Sequence, residues 1–277
     1  MRYIFIVIAA CFSIASLNGC STSNGQKEEA GTDTATTTDT LNSAKAKIKT
    51  ITEAVRDNDP HKFASAVSYP LQRPYPLHDI NNSREMEKYY PTLVGDQLKK
   101  TVTQADSTDW TDMGWRGHAL ADGQMWVDED GLYAMDYISP AEASMRDSLR
   151  RAEIASLPAQ LQGPWTPVGT FYDTANGKIY RIDVLNDGET YRLAVFDAAN
   201  LKQQPLKVLT GSKNVEGSAE SVSYNFSDGV TVVPEDSQTG QPTLQQNDTD
   251  IPLKPVYWLD LNQPSAPAPQ GQNGQGT

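Results

Sequence analysis

Cysteine is almost missing from this chain of 277 residues, which contains only Cys11 and Cys20. Both lie close to the amino terminus, so residues 21–277 carry no thiol. A segment without thiols forms no disulfide, no thiolate zinc site and no cysteine nucleophile. We therefore expect its fold to depend on the burial of apolar side chains alone.

Histidine is also scarce, and the three that occur, His61, His78 and His118, are far apart in the sequence. The motifs of serine hydrolases, of phosphate-binding loops and of helical zinc proteases are all missing. The sequence therefore predicts no catalytic residues, no metal ligands and no cofactor.

Positive charge is in deficit, because 23 Lys and Arg stand against 35 Asp and Glu, for a formal net charge of −12. A chain so acidic repels phosphate backbones, and no stripe of Lys or Arg offsets the average. We expect no nucleic-acid partner. Basic proteins, cationic peptides and neutral glycans remain compatible with this charge.

A long apolar run occurs once, over residues 3–17, directly after the positive charge of Arg2. At about 15 residues it is short for a permanent membrane-spanning helix and has the length of an export signal. It ends in Leu17-Asn18-Gly19-Cys20, which resembles the lipobox of bacterial lipoproteins.

This resemblance implies that residues 1–19 are removed and that Cys20 carries the lipid, including palmitate-type acyl chains. Ser21 stands where such proteins often have the Asp that retains them in the inner membrane, so the resemblance implies an outer-membrane lipoprotein. Two or three acyl chains anchor a protein firmly. An ordinary secretory signal or an uncleaved anchor is the alternative, and either still exports the chain.

Two segments have compositions that are typical of disorder. Residues 20–40 are rich in Ser, Thr, Asp, Glu and Gly, and residues 263–277 are rich in Pro, Gly and Gln. Neither buries enough apolar surface to offset its ordering entropy. We predict a flexible tether and a disordered tail, with the folded part between them.

The first folded segment, residues 41–138, begins with helices. Asp59-Pro60 and Asn82 with Glu85 are helix start signals. Gln97 to Gln104 is a further short helical stretch. The first helix is predicted from an apolar stripe with helical spacing, formed by Leu41, Ala44, Ile48, Ile51 and Val55.

Short aromatic-rich runs follow at residues 113–120, 124–128 and 132–138, separated by Asp122-Gly123 and Asp130-Gly131. Asp-Gly pairs between such runs favour tight hairpins. We therefore predict an α+β unit in which the helices cover one face of a curved antiparallel sheet.

The segments AVRDNDPHKFASAVSYPL, REMEKYYPTLVGDQLKK and GQMWVDEDGLYAMDYI are similar, in this order, to the cone-shaped domain of the nuclear transport factor 2-like superfamily. The resemblance covers residues 41–138 and implies a cystatin-like cone fold. The superfamily contains isomerases as well as members that only bind a ligand or a partner, so the fold does not decide the function.

Ser139-Pro140 with Glu142 predicts the start of another helix, which would connect two domains over residues 139–162. Residues 163–262 then read as a small all-β sandwich or barrel. Its predicted strands are 168–173, 178–185, 189–197, 206–210, 221–227, 230–233 and 256–261.

The dense aromatic residues of the first unit could line a ligand cavity or pack its core. The candidate pocket residues are Tyr69, Tyr90, Trp115, His118, Trp126, Tyr133 and Asp136. Alternation places His118 on the face of Leu120 and opposite Trp115. An ordinary, partly exposed strand histidine is the competing interpretation.

We expect an envelope lipoprotein, held to the membrane by its lipid, that acts as a non-catalytic binding or interaction module. Its partner would be an envelope protein, a glycan or a small ligand. One alternative is an isomerase- or hydrolase-like enzyme with His118 and Asp136 as its acid–base pair. Another is an inhibitor of a basic toxin or hydrolase, which requires a contiguous acidic patch.

Overall fold

The computed structural model describes residues 33–106, 108–121, 123–216, 221–235 and 240–261. The predicted signal peptide, Cys20 and the predicted tail lie outside these residues. Within them, no helix has the combination of length and apolar character that crossing a membrane requires. The α-helices are α1 (Asp33–Asp57), α2 (Pro60–Ala64), α3 (Ser83–Leu93), α4 (Asp96–Gln104), α5 (Pro140–Ser156) and α6 (Trp258–Leu261).

Helix α1 begins at Asp33, inside the segment 20–40 that we predicted to be a flexible tether. Where the structure describes this segment, it is helical. The buried residues Ile51 and Val55 fix the carboxyl-terminal half of α1 against the core. Lengthening a helix that is already formed gains one hydrogen bond for each residue, so a polar extension costs little.

The predicted helix starts are confirmed by their capping contacts. Asp59 accepts a hydrogen bond from the Lys62 amide at 3.0 Å, and Asn82 accepts one from the Glu85 amide at 3.1 Å. Helix α5 begins with a full capping box, in which the Ser139 hydroxyl accepts from the Glu142 amide and the Glu142 carboxylate accepts from the Ser139 amide.

The small sheet is an antiparallel meander of β1 (Trp110–Asp112), β2 (His118–Leu120), β3 (Met125–Val127) and β4 (Leu132–Ala134). The meander is as predicted, but the run 113–120 is not one strand. Gly114–Arg116 forms a 3₁₀ turn, and Gly114 and Gly117 have φ of +66° and +82°. Because these left-handed conformations interrupt a strand, the chain folds back and Trp110 supplies the missing edge strand.

Helices α1 to α4 pack on one face of this small sheet. The apolar stripe of α3, formed by Met86, Tyr90 and Leu93, is buried there together with Leu120 and Met125 of the strands. The expected mixed α+β arrangement is therefore present in this part of the chain.

The second sheet has nine antiparallel strands, and its two edge strands, β12 and β13, are consecutive in the chain. Only Leu253 separates them, so the sheet is barrel-like and nearly closed. In spatial order its strands are β12 (Thr249–Pro252), β11 (Thr243–Gln246), β10 (Val230–Val233), β9 (Ser221–Phe226), β8 (Lys207–Glu216), β7 (Tyr191–Asp197), β6 (Lys178–Leu185), β5 (Trp165–Asp173) and β13 (Lys254–Pro255).

One strand predicted for this sheet is wrong, and one hairpin was missed. Residues 256–261 are not a strand, because Trp258 begins α6 and is fully buried with its ring centroid 4.9 Å from that of Phe196. The hairpin of β11 and β12 was not predicted. Its turn residues Asn247 and Asp248 have φ of +51° and +58°, the conformation of a type I′ turn without the usual glycine.

The side chains of strand β6 alternate between two buried layers. Tyr180 and Ile182 face the interior of the barrel-like sheet, whereas Ile179 belongs to the layer between the sheet and its covering helices. That layer also buries Leu157, which follows α5, and Trp258 of α6.

Two buried ion clusters fix α5 from both sides. Near its start, Arg73 donates twice to the Glu142 carboxylate at 2.9 Å and also to the carbonyl oxygens of Met135 and Tyr137 at 2.8 Å. Near its end, Glu153 accepts from Arg181 at 2.9 Å.

The second cluster continues across the sheet. Asp183 accepts from Arg181 through one carboxylate oxygen and from Arg192 through the other, each at 2.9 Å. Tyr75 also donates to Glu153 at 2.9 Å, which connects the loop before α3 to the same cluster. The helices of the first unit and the barrel-like sheet therefore meet at α5.

Candidate ligand-binding groove

An open groove of about 690 Å³ lies between α1 and the edge of the small sheet. Helix α1 forms one wall, and the end of α4 with strands β1 and β2 forms the other. The groove is lined by Lys45, Ile48, Lys49, Thr52, Glu53, Arg56, Ala105, Asp106, Trp110, Asp112 and His118.

Helix α1 lines the groove with residues at helical spacing, next to its buried apolar stripe. Three of these residues, Lys45, Lys49 and Arg56, are cations. Glu53 is held by Lys62 at 2.5 Å and lies 3.9 Å from Lys49. The hydrogen bond from Lys62 lowers the pKa of Glu53. Lys45 and Arg56 form no ion pair within the described part of the chain, so their charges are available to a ligand.

The opposite wall carries two carboxylates that already accept hydrogen bonds from their own chain. Asp112 accepts a hydrogen bond from the Gly114 amide at 2.8 Å, and Asp106 accepts from the amide and hydroxyl of Thr108. These hydrogen bonds lower the pKa of Asp106 and keep it ionised. Ile48, Ala105 and Trp110 supply the apolar surface of the groove.

His118 is the unusual member of this wall. Its side chain faces the helices, as Leu120 does two residues later, and its strand partners are Asp112 on β1 and Val127 on β3. It is only 5% exposed, yet neither ring nitrogen has a hydrogen-bond partner among the described residues. Buried polar groups are almost always paired, so an unpaired imidazole beside a cavity requires an explanation.

Of the seven predicted pocket residues, only His118 lines the groove. Tyr90 is buried in the core, 5.2 Å from Phe63 between ring centroids. Tyr69 donates to the Ala64 carbonyl at 2.9 Å, and burial raises its pKa to about 12. Trp126 lies in the middle of β3, partly exposed and paired with Ala119 and Ala134.

The remaining predicted residues lie elsewhere. Trp115 is 89% exposed on the turn between β1 and β2, so it lines no pocket. Tyr133 donates to the Arg116 carbonyl at 2.9 Å, and Asp136 is exposed after β4. Because the ring nitrogens of His118 are unpaired, the proposed hydrogen bond between His118 and Asp136 is not formed.

The sequence interpretation missed the α1 wall. In the helical pattern Lys45, Lys49 and Arg56 fall beside the apolar stripe, where charged residues ordinarily face solvent. Their spacing alone does not reveal the groove, because its other wall comes from strands far along the chain.

A second groove of about 490 Å³ lies between α5 and β5, near Arg150, Arg151 and Trp165. Arg150 is 3.7 Å from Asp147, and the Arg192 guanidinium stacks over the Trp165 ring at 4.3 Å. Arg151 also donates to the Ser148 hydroxyl at 3.1 Å, so both arginines of this groove have a polar partner within α5, which makes it a weaker candidate than the groove beside α1.

Within the described ranges, no group of three or more His, Cys, Asp or Glu side chains is arranged to hold a metal ion. No family model, no curated protein and no solved structure matches this chain.

Proposed function

We propose that this chain is an exported lipoprotein, anchored to the outer membrane through Cys20, whose helix-and-sheet unit is a non-catalytic ligand-binding module. The lipobox-like sequence and Ser21 support the anchor and its membrane. Four helices on one face of a four-stranded meander support a cone-like architecture, with the groove beside α1 as the binding site.

The observation that carries this proposal is the buried, unpaired ring of His118 in the wall of the groove. An unpaired buried imidazole costs the fold the desolvation energy of its nitrogens, about 1–3 kcal/mol. Such a cost is typical of functional positions, where a ligand supplies the missing partner. His118 is the residue of this kind that also lines the groove.

The lining indicates the class of ligand. Apolar contacts from Ile48, Ala105 and Trp110 favour a small molecule with an apolar body. Lys45 and Arg56 favour an acidic head group, because they have no ion-pair partner whereas Asp106 already accepts hydrogen bonds from its own chain.

Native mass spectrometry of the full chain, purified from the envelope of the cells that make it, tests the proposal. We expect a fraction of the protein to carry a bound small molecule. Thr52→Trp fills the groove and should abolish this bound mass. Ala46→Trp, on an exposed position of the same helix outside the groove, should retain it.

The result that opposes the proposal is a bound mass of equal intensity in the two variants, or none in the wild-type protein. A turnover activity that is lost in His118→Ala or Asp136→Ala would support the enzyme hypothesis instead.

A further inference from the structure

The turn between β1 and β2 exposes two large apolar side chains at one tip of the small sheet. Trp115 is 89% exposed, more than any other large apolar side chain among the described residues, and Met113 is 40% exposed. The Arg116 guanidinium lies 5.2 Å from the centre of the Trp115 ring. The groove plays no part in this arrangement, since none of these three residues lines it.

The turn is held in one conformation by the rest of the sheet. The Met113 amide donates to the Gly117 carbonyl at 2.8 Å, and Asp112 accepts from the Gly114 amide. Tyr133 donates to the Arg116 carbonyl. A side chain on Gly117 would meet the Val127 carbonyl oxygen at 2.3 Å, so the turn packs closely against β3. Trp115 therefore projects into solvent from a turn whose backbone is fixed by hydrogen bonds.

The surroundings of this tip are acidic. Gly117 packs on the backbone of Asp128, which begins the turn between β3 and β4, and this turn continues with Glu129 and Asp130. Asp128, Glu129 and Asp130 are three carboxylates outside the groove, and none of them forms an ion pair within the described residues. Arg116 is the one cation that the β1–β2 turn contributes.

We infer that this tip is a docking surface for a protein partner with an apolar pocket that is rimmed by Lys and Arg. Trp and Arg are the residues that most often dominate binding energy at protein interfaces. A protruding Trp fits a pocket on a partner. The acidic rim attracts a basic surface and repels anionic lipid head groups, so a basic protein is favoured over a membrane.

Photo-crosslinking in the cells that make the protein tests this inference on the full chain. Trp115 is replaced by p-benzoylphenylalanine, and the same replacement at Leu206, which is 62% exposed before β8, is the matched control. We expect a protein adduct at position 115 that is absent at position 206. The adduct is identified by mass spectrometry, and that partner is then purified for binding measurements.

With the purified partner, Trp115→Ala should weaken binding by more than about tenfold, and rising salt should weaken it further. Glu129→Lys should weaken binding, whereas Glu189→Lys, a charge reversal on an exposed turn of the barrel-like sheet, should not. Trp115→Ala should leave the thermal midpoint unchanged because the ring is exposed.

Several results would overturn the inference: no adduct above the Leu206 control, adducts with lipid only, or a purified partner that does not bind. Binding that Trp115→Ala leaves unchanged, or that Glu129→Lys strengthens, would overturn it as well. None of these results bears on the groove, whose test is the bound mass in Thr52→Trp.

Discussion

At the scale of single residues, the unpaired ring nitrogens of His118 should lower the stability of the fold but favour ligand binding. If its unpaired ring serves a ligand, an apolar residue of similar volume should improve the fold. We predict that His118→Leu raises the free energy of unfolding by about 1 kcal/mol and lowers the fraction of protein that carries the bound small molecule. Urea denaturation and native mass spectrometry measure the two effects on the same sample.

The control for His118→Leu is His61→Leu, because His61 is exposed and already paired with Glu87 at 2.8 Å. It should bring no gain in stability and no loss of bound mass. If His118→Leu instead destabilises the protein and leaves the bound mass unchanged, His118 has a structural role and the groove proposal loses its main support.

The pair of His61 and Glu87 gives a prediction about pH. The hydrogen bond to the Glu87 carboxylate raises the pKa of His61 above its usual 6.5. The folded state therefore holds this proton more tightly, so the contribution of the pair is present below pH 6.5 and is lost as the pH rises through the raised pKa. NMR titration should show the raised pKa, and Glu87→Gln should return it towards 6.5. A wild-type pKa at or below 6.5 contradicts this geometry.

At the scale of elements, α5 depends on buried charge pairs. Removal of Arg73 would leave Glu142 buried without its cation, which typically costs about 3–5 kcal/mol. We predict a loss of that size in Arg73→Met, measured by chemical denaturation. Arg84→Met, at an exposed position of α3, is the control and should change stability by less than about 0.5 kcal/mol. A similar small change in Arg73→Met would show that this pair does not fix α5.

Local signals in the sequence were sufficient for many of these elements. The caps at Asp59, Asn82 and Ser139 and the alternation of β6 were predictable because they depend on neighbours within a few residues. Trp258 was misassigned since a short apolar run at the end of a chain has no clear period. The burial of Arg181 was not predictable, because its partner Glu153 comes from a separate element.

At the scale of the whole molecule, the contacts that the loop before α3 makes with strand β5 and with the segment before α6 were not predictable from the sequence. Tyr75 accepts or donates a hydrogen bond with Thr170 at 2.9 Å, and the Asp79 amide donates to the Tyr257 hydroxyl at 3.0 Å. These contacts join residues far apart in the chain, and no periodicity encodes them. The groove was not predictable for the same reason, since one wall ends at Arg56 and the other begins at Ala105.

The proposed anchor gives a prediction for the intact protein. Cys20→Ser should remove the acylated amino-terminal mass and move the protein from the membrane fraction to the soluble periplasmic fraction, because the lipid is its proposed attachment. Fractionation with mass spectrometry of the amino-terminal peptide measures both. An unmodified Cys20 in the wild-type protein would contradict the lipoprotein proposal without affecting the groove.

The most direct test of the binding proposal is a crystal structure of the full chain purified from its own envelope, without added ligand. We predict electron density for a small molecule in the groove, in contact with Ile48 and Trp110 and with a polar group within hydrogen-bond distance of His118. A groove that holds only water, or that is filled by side chains of its own walls, would contradict the proposed function.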